Sequence, residues 1–240
     1  MKNDLSIILP IYNEEKRLRK SLEQIYKFQK ENILFSLEFI IVNDGSNDKS
    51  DYILKKFLKK KKISNLKYLK IKKNKGKGYA LKLGVKKSKK KWILTSDIDL
   101  SVPLSQLNIW FEKEIPINLK NSVYFGNRED KKSKINKKFY RYLLGIFFNL
   151  IIKILFKIKL KDTQCGFKLY KSEIAKKNFK KIKTYGYAHD IELIKYLLED
   201  KVEIKELPVN WTHKSNSKLN IFVDPFKMLV ELISIYFRSK

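Results

Sequence analysis

Two aspartates separated by one residue, Asp97 and Asp99, are the strongest chemical feature of this sequence. They follow a short apolar run, Trp92 to Thr95, of the kind that forms a buried strand. Because the chain turns where a strand ends, both carboxylates can face one hard cation. Mg²⁺ or Mn²⁺ held by one or two carboxylates, with substrate phosphates completing its coordination, is the usual arrangement for such an ion. The alternative is that the pair only ends a turn.

Strands and helices alternate through the first hundred residues, which predicts a parallel sheet with helices on both faces. The predicted strands are Leu5 to Leu9, Glu38 to Val42, Leu66 to Ile71 and Trp92 to Thr95. Polar clusters follow them: Asn13-Glu14, Asp44, Gly76 to Gly78, and Asp97 to Asp99. Each cluster alone is also an ordinary turn. Since ligands bind beyond the carboxyl ends of such strands, the four clusters together favour a binding site.

The second half of the chain has weaker patterns. They predict a helix over Pro103 to Glu114, a strand over Ser122 to Phe125, a basic linker over Glu129 to Lys138, a polar loop over Lys161 to Tyr170, a helix that begins in Tyr187 to Leu193 and runs through Leu198, and a strand over Val202 to Pro208. The whole chain is long enough for one sizeable core, which predicts a single domain over residues 1–240.

Two apolar segments, residues 139–158 and 222–237, carry few charges. Their composition, with Lys at intervals and basic flanks, is typical of helices that lie in a membrane interface; a pair of core helices is the alternative. No uncharged apolar run reaches the ~18–20 residues that a spanning helix needs. Because the first strand begins without an apolar leader, we expect no export and a peripheral membrane association.

The chain has 54 Lys and Arg against 25 Asp and Glu, a formal net charge of +29. Such an excess is typical of proteins that meet nucleic acid or an anionic membrane. The sequence has no helix-turn-helix, zinc-finger or RNA-binding aromatic pattern, so we expect an anionic membrane surface and no nucleic acid. The single cysteine, Cys165, excludes an internal disulfide and a multi-cysteine zinc site.

Five motifs give the chain its resemblance to a known family. They are Leu-Pro-Ile-Tyr-Asn-Glu from Leu9, Val-Asn-Asp-Gly-Ser from Val42, Asn-Lys-Gly-Lys-Gly-Tyr-Ala from Asn74, Asp-Ile-Asp-Leu from Asp97 and Asp-Thr-Gln-Cys-Gly-Phe-Lys-Leu from Asp162. In this order the chain resembles the family 2 glycosyltransferases with a GT-A fold. The last motif is most similar to the dolichyl-phosphate β-glucosyltransferase branch.

The resemblance implies a GT-A fold, in which residues 1–128 bind a nucleotide sugar and residues 129–240 bind the acceptor. By position, the nucleotide-sugar residues would be Pro10, Tyr12, Asn13, Glu14, Asp44, Gly76, Lys77, Gly78 and Asp97. Asp97 and Asp99 would hold the metal, and Arg128, Arg141, Gln164 and Lys168 would meet the acceptor phosphate. Asp190 has the position of the acidic catalytic residue of related inverting enzymes. It could remove a proton, orient a group, or only favour a helix N-terminus.

The implied reaction moves a sugar from a nucleotide donor, with UDP-glucose favoured, to a polyprenyl or dolichyl monophosphate at the cytoplasmic face of a membrane. Ser101 stands where mannosyl-transferring relatives often carry Gln, which weakens a mannosyl assignment. The alternative keeps the fold and sends the sugar to a hydroxyl of a glycan or cell-surface polymer. That reaction would need Asp190 as a general base, because a hydroxyl must lose its proton.

Overall fold

The computed structural model describes residues 3–115, 121–136, 151–212 and 223–238. Its strands are β1 (Asn3–Ile11), β2 (Phe35–Asn43), β3 (Leu66–Lys70), β4 (Trp92–Thr95), β5 (Ser122–Asn127), β6 (Lys134–Asn136), β7 (Lys168–Lys171), β8 (Glu203–Pro208) and β9 (Asn210–Thr212). Seven of them form one sheet in the order β3-β2-β1-β4-β7-β5-β8, and β6 pairs with β9 in a small second sheet. Strand β7 is antiparallel to β4 and β5, and the other pairs are parallel.

Helices cover both faces of the seven-stranded sheet, as predicted. They are α1 (Leu18–Glu31), α2 (Ser50–Lys60), α3 (Lys77–Lys87), α4 (Gln106–Ile109), α5 (Ser172–Lys181), α6 (His189–Glu199) and α7 (Asp224–Phe237). Residues 151–156 are also helical. Within the described residues, none of the helices combines the length and the apolar character that crossing a membrane requires. The predicted fold class, a mostly parallel α/β sheet with flanking helices, is confirmed.

Alternating side chains of β1 fill two apolar layers. Ile7 and Leu9 pack in the layer that contains residues of α1 and α2, whereas Ile8 packs in the layer beneath α3 and α6. Helix α3 lies very close to the sheet, since a Cβ on Gly84 would be 2.3 Å from Ile8 Cγ2. Burial on both faces explains why the strands are nearly continuous apolar runs. The close packing of α3 on the sheet also places the loop before α3 at the carboxyl edge of the sheet.

Three local predictions were wrong in detail. The predicted loop Lys161 to Tyr170 ends in β7. This strand was missed because it has only four residues, with Lys at both ends. The predicted linker Glu129 to Lys138 contains β6, which is only three residues long. The helix predicted over Pro103 to Glu114 is α-helical only in α4 and then continues as a π-helical turn, Trp110–Glu114. Short elements hold too few residues for a hydrophobic period to show.

Candidate active site

Four of the predicted site residues, Asn13, Asp44, Asp97 and Arg128, lie just beyond the carboxyl ends of β1, β2, β4 and β5. A cleft at this edge is lined by Ser96, Asp97, Ser101, Val102, Arg128, Cys165, Gly166, Phe167 and Trp211. Asp97 follows β4 and Arg128 follows β5, so the sheet brings a carboxylate and a guanidinium to one cleft. Such a pair of charges suits a ligand that presents a cation on one side and a phosphate on the other.

Asp97 is held from two sides. Its Oδ1 pairs with Lys77 Nζ at 2.6 Å, and its side chain is 45% exposed. A Cβ on Gly166 would lie 2.4 Å from Asp97 Oδ2, so only glycine fits beside the carboxylate. Burial alone would raise the pKa of Asp97, but the charge and hydrogen bond of Lys77 outweigh it and hold the pKa below its ordinary value. Asp97 is therefore an anion at neutral pH.

Asp99 is anchored to the first loop of the chain. Arg17 Nη1 pairs with Asp99 Oδ2 at 3.1 Å, and Arg17 Nη2 donates to Glu14 Oε1 at 2.9 Å. The other oxygen, Asp99 Oδ1, accepts the Ser101 N–H at 2.9 Å. Leu100, between Asp99 and Ser101, has a positive φ of 49°, which turns the chain sharply after β4. One arginine thus joins two predicted site residues, Glu14 and Asp99, that are far apart in sequence.

Asp97 and Asp99 are the residues that would hold a divalent cation. Among the described residues, no three His, Cys, Asp or Glu side chains come together in a group that could hold a metal ion. Two carboxylates fit Mg²⁺ or Mn²⁺ when phosphate and water oxygens complete the coordination. In the structure Lys77 pairs with Asp97, and Arg17 pairs with Asp99. Because no third protein ligand joins the two carboxylates among the described residues, they would hold a metal ion together with the oxygens of a diphosphate and water.

Asp44 is buried and binds the loop that begins α3. Its oxygens accept the Lys75 N–H at 2.9 Å, the Gly76 N–H at 2.8 Å and Asn74 Nδ2 at 3.0 Å. Burial raises the pKa of Asp44, and the two backbone N–H groups oppose that rise. Gly76 has a φ of +101°, and a Cβ there would lie 2.3 Å from Tyr185 O. Asp44 therefore fixes the Gly76 to Gly78 loop, and its contact with a nucleotide stays a prediction.

The loop after β1 also binds the loop after β2. Asn13 has a positive φ of 52°, its N–H donates to Ser46 Oγ at 2.9 Å, and its Oδ1 accepts the Asn47 N–H at 2.8 Å. Tyr12 is 36% exposed, and Pro10 lies within β1. These hydrogen bonds join the loop after β1 to the loop after β2, at the edge of the sheet where the nucleotide is predicted to bind.

Arg128 is held by a bidentate ion pair. Its Nε lies 2.7 Å from Asp162 Oδ2, and its Nη2 donates to Asp162 Oδ1 at 2.8 Å. Burial would lower the pKa of Arg128, but the nearby Asp162 carboxylate outweighs burial and holds the pKa above its ordinary value. The guanidinium therefore stays charged. Within the part of the chain that the structure describes, Nη1 makes no hydrogen bond. Arg128 thus has a donor for an anion in the cleft.

Asp190 lies at the start of α6 in a buried network of charges. Its Oδ1 accepts a hydrogen bond from Lys168 Nζ and is 3.6 Å from His189 Nε2. Burial would raise the pKa of Asp190, but the charge of Lys168 lowers it to about 2. His189 Nδ1 is 2.6 Å from Gly186 O, and burial lowers the pKa of His189. Asp190 is therefore ionised at neutral pH and lies in an ion pair with Lys168.

Two predicted acceptor residues lie deeper than expected. Lys168 is 1% exposed, and its ammonium binds Asp190 and Thr163 O, so we correct its direct contact with the acceptor phosphate to a contact with Asp190. Gln164 Nε2 is 3.4 Å from Met228 Sδ, which directs this amide toward α7. Arg141 lies outside the described residues.

Sequence reasoning missed Arg17 and Asp162 as partners of the site. Each forms an ion pair with a predicted residue, Arg17 with Asp99 and Asp162 with Arg128. Arg17 stands three residues after Glu14, a helical spacing that could have pointed to their contact. Nothing in the sequence shows that Asp162 meets Arg128, because their pairing depends on how β5 and the loop before β7 pack.

With this geometry established, the chain can be compared with known proteins. It is 33% identical over 242 residues to a dolichyl-phosphate beta-glucosyltransferase of Dictyostelium discoideum, covering 98% of this chain and 74% of that protein. The Homo sapiens protein of the same name is 32% identical over 250 residues, covering 98% and 75%. Glucosyl-3-phosphoglycerate synthase from Mycobacterium tuberculosis, solved with Mn²⁺, UDP-glucose and phosphoglyceric acid, has a TM-score of 0.63 at 15% identity, covering 98% and 80%. This last likeness shows the shared fold.

The family follows from the sequence match. A profile described as Glycosyl transferase family 2 matches residues 6–179, which is more than half of the chain and includes most of β1 and all of β2 to β7. The predicted motifs around Asn13, Asp44, Gly76 and Asp97 all fall inside this match. The chain belongs to glycosyl transferase family 2.

Proposed function

We propose that this chain is an inverting, metal-dependent glucosyltransferase that moves glucose from UDP-glucose to a polyprenyl or dolichyl monophosphate. The observation that carries the proposal is the cleft that joins Asp97 to Arg128, in a chain aligned over 98% of its length with dolichyl-phosphate beta-glucosyltransferases. The carboxylate side of the cleft suits a nucleotide diphosphate with its cation. The guanidinium side suits a phosphate acceptor.

Asp97 and Asp99 would hold Mg²⁺ or Mn²⁺ together with the donor diphosphate. The cation supplies charge neutralisation on the departing nucleotide. Lys77 lies 2.6 Å from Asp97 and is a further cation available to the diphosphate. The Gly76 to Gly78 loop, fixed by Asp44, would lie beside the nucleotide, as would Tyr12 and its neighbours in the loop after β1.

Arg128 would orient the acceptor phosphate for attack on the anomeric carbon. A phosphate monoester is already ionised at neutral pH, so its oxygen needs no general base. This requirement fits Asp190, whose carboxylate is bound by Lys168 and whose pKa is about 2. A hydroxyl acceptor would need a base that can reach its proton. The Asp190 carboxylate is instead bound by the buried Lys168 ammonium, which supports a phosphate acceptor over the hydroxyl of a glycan.

A lipid acceptor also requires a place for the protein on a membrane, and we propose that α7 supplies one. Its exposed residues Phe226, Val230, Ile233 and Phe237 recur at spacings of three and four, which places them on one face. Ile154, in the helical segment 151–156, is also 68% exposed, and Phe156 contacts Tyr236 of α7. These features support peripheral binding to a membrane. We further propose that the protein binds at the cytoplasmic face, with residues 1–128 on the donor side and residues 129–240 on the acceptor side.

Product analysis tests the proposal. The protein is incubated with Mn²⁺ and one of UDP-glucose, UDP-N-acetylglucosamine or GDP-mannose. The acceptor is a short polyprenyl phosphate, the matching polyprenol, or a free sugar or glycan. We expect a glucosyl phospholipid from UDP-glucose and the phosphate, and no product from the polyprenol. Transfer to a free-sugar or glycan hydroxyl without any lipid product would overturn the proposal.

A further inference from the structure

The loop between α5 and α6, residues 182–188, contacts both sides of the candidate site. Tyr185 O accepts the Gly78 N–H at 2.9 Å, and the Tyr185 ring lies edge-on to Tyr79 at 5.2 Å. The loop then leads directly into His189 and Asp190 at the start of α6. Its position therefore sets the Gly76 to Gly78 loop and the Asp190 carboxylate at the same time.

Helix α7 binds this loop through three polar side chains. Tyr187 Oη donates to Asp224 Oδ2 at 2.8 Å, and Arg238, which follows α7, donates from Nη2 to Thr184 Oγ1 at 2.5 Å. Between them, the Ala188 N–H donates to Glu231 Oε2 at 2.8 Å. These contacts span α7 from its first turn to its end, so the loop is attached along the whole helix.

The central contact satisfies a backbone N–H at the start of α6. Ala188 is the N-cap residue of α6 and has no side chain that could cap it, and it is fully buried. The Glu231 carboxylate accepts its N–H from another helix, near the positive end of the α6 dipole. Gly186 leaves the space for this approach, because a Cβ there would lie on the Glu231 carboxylate. Burial raises the pKa of Glu231, and the N–H groups of Ala188 and Tyr187 oppose that rise.

We propose that Glu231 is a positioning residue for the transfer reaction. Through Ala188 and Gly186 it fixes the first turn of α6, which carries Asp190, and the loop that supports Gly78. The contacts of Glu231 are with the Ala188 N–H and the Gly186 backbone, so we assign its effect on the reaction to these groups. The proposal rests on the proposed function only for its kinetic test.

The kinetic test compares Glu231→Ala, Glu231→Gln and the control Glu199→Ala, whose side chain is 51% exposed near the end of α6. Rates are measured with UDP-glucose and a short polyprenyl phosphate, together with thermal midpoints. Because small displacements of reacting groups cost large factors in rate, we expect Glu231→Ala to lower kcat by about tenfold or more with KM values nearly unchanged. Glu231→Gln keeps an acceptor oxygen and should recover kcat to within about threefold.

A second measurement does not depend on activity. Hydrogen exchange is measured at the Ala188 to Ile191 amides of full-length Glu231→Gln, Glu231→Ala and Glu199→Ala. We expect faster exchange at these amides in Glu231→Ala and wild-type rates in the control, Glu199→Ala. A kcat for Glu231→Ala within twofold of wild type, or unchanged exchange at these amides, would refute the positioning role. If wild-type protein makes no glucosyl phospholipid, the proposed function fails, and the exchange result still decides this inference.

Discussion

Replacing Lys168 with methionine tests whether the buried charge network keeps Asp190 ionised. The Lys168 ammonium is 1% exposed and binds Asp190 and Thr163 O. Methionine fills most of the same volume but leaves the Asp190 carboxylate without its main partner. Removing one member of a buried ion pair typically costs about 3–5 kcal/mol of stability. We therefore expect Lys168→Met to lower the free energy of unfolding by about that amount at pH 7.

The change in stability with pH follows from the pKa of Asp190 in the folded and the unfolded protein. In the wild type the folded-state pKa of Asp190 is about 2, below an unfolded value of about 3.9. The resulting stabilisation, on the order of 2–3 kcal/mol, is present above about pH 4 and is lost as the pH falls through about 2. Without Lys168, burial raises the pKa of Asp190 above its unfolded value. Stability of the variant then increases as the pH falls, so the gap between the two proteins narrows.

Urea unfolding at pH 7 and at pH 4.5 measures this gap. Lys86→Met, on the exposed surface of α3, is the matched control and should stay within about 0.5 kcal/mol of wild type. The double variant Lys168→Met with Asp190→Asn removes the unpaired charge and should recover most of the lost stability. A Lys168→Met protein as stable as the control, or a gap that is equal at both pH values, would refute the reasoning.

The remaining predictions concern the metal and the membrane. Asp99→Asn keeps the shape of the side chain but removes a ligand charge, so we expect transfer to fall and the Mn²⁺ requirement to rise at least about tenfold; wild-type transfer with an unchanged metal titration would contradict this role. Phe226→Ser and Phe237→Ser each remove about 1.5–3 kcal/mol of apolar burial, so each should weaken sedimentation with anionic vesicles about tenfold or more. Ile33→Ser, which changes an exposed residue just before β2, should leave vesicle binding unchanged.

The parallel half of the fold was predictable because its signals are local. Strand β4 has the predicted bounds, whereas the buried strands β1 and β2 each have nine residues and extend beyond both ends of the five predicted. Long apolar runs separated by helices of regular period define such a sheet without reference to other parts of the chain. The position of Asn13, Asp44 and Asp97 at one edge then follows, since parallel strands end together.

The charge pairs of the site were not predictable in the same way. From the sequence we predicted that Lys168 lies in a loop and meets the acceptor phosphate. In the structure Lys168 belongs to β7, and its side chain lies in the interior beside Asp190. The contact depends on the direction of β7, and a four-residue strand has no period that would show it. Similarly, the pairing of Glu231 with Ala188 joins two helices whose relative position only the folded structure specifies.

The antiparallel strand β7 has a consequence for how the chain can be divided. In the seven-stranded sheet, β5 and β8 reach the other strands only through β7, which lies between β4 and β5. A fragment that stops at Arg128 would contain β5 but neither of its neighbours, leaving both of its edges open to water or to other chains. A cut at that point would separate β5 from β7 and β8, and α3 from the helices that pack beside it, so co-expressed fragments would have to restore both sets of contacts.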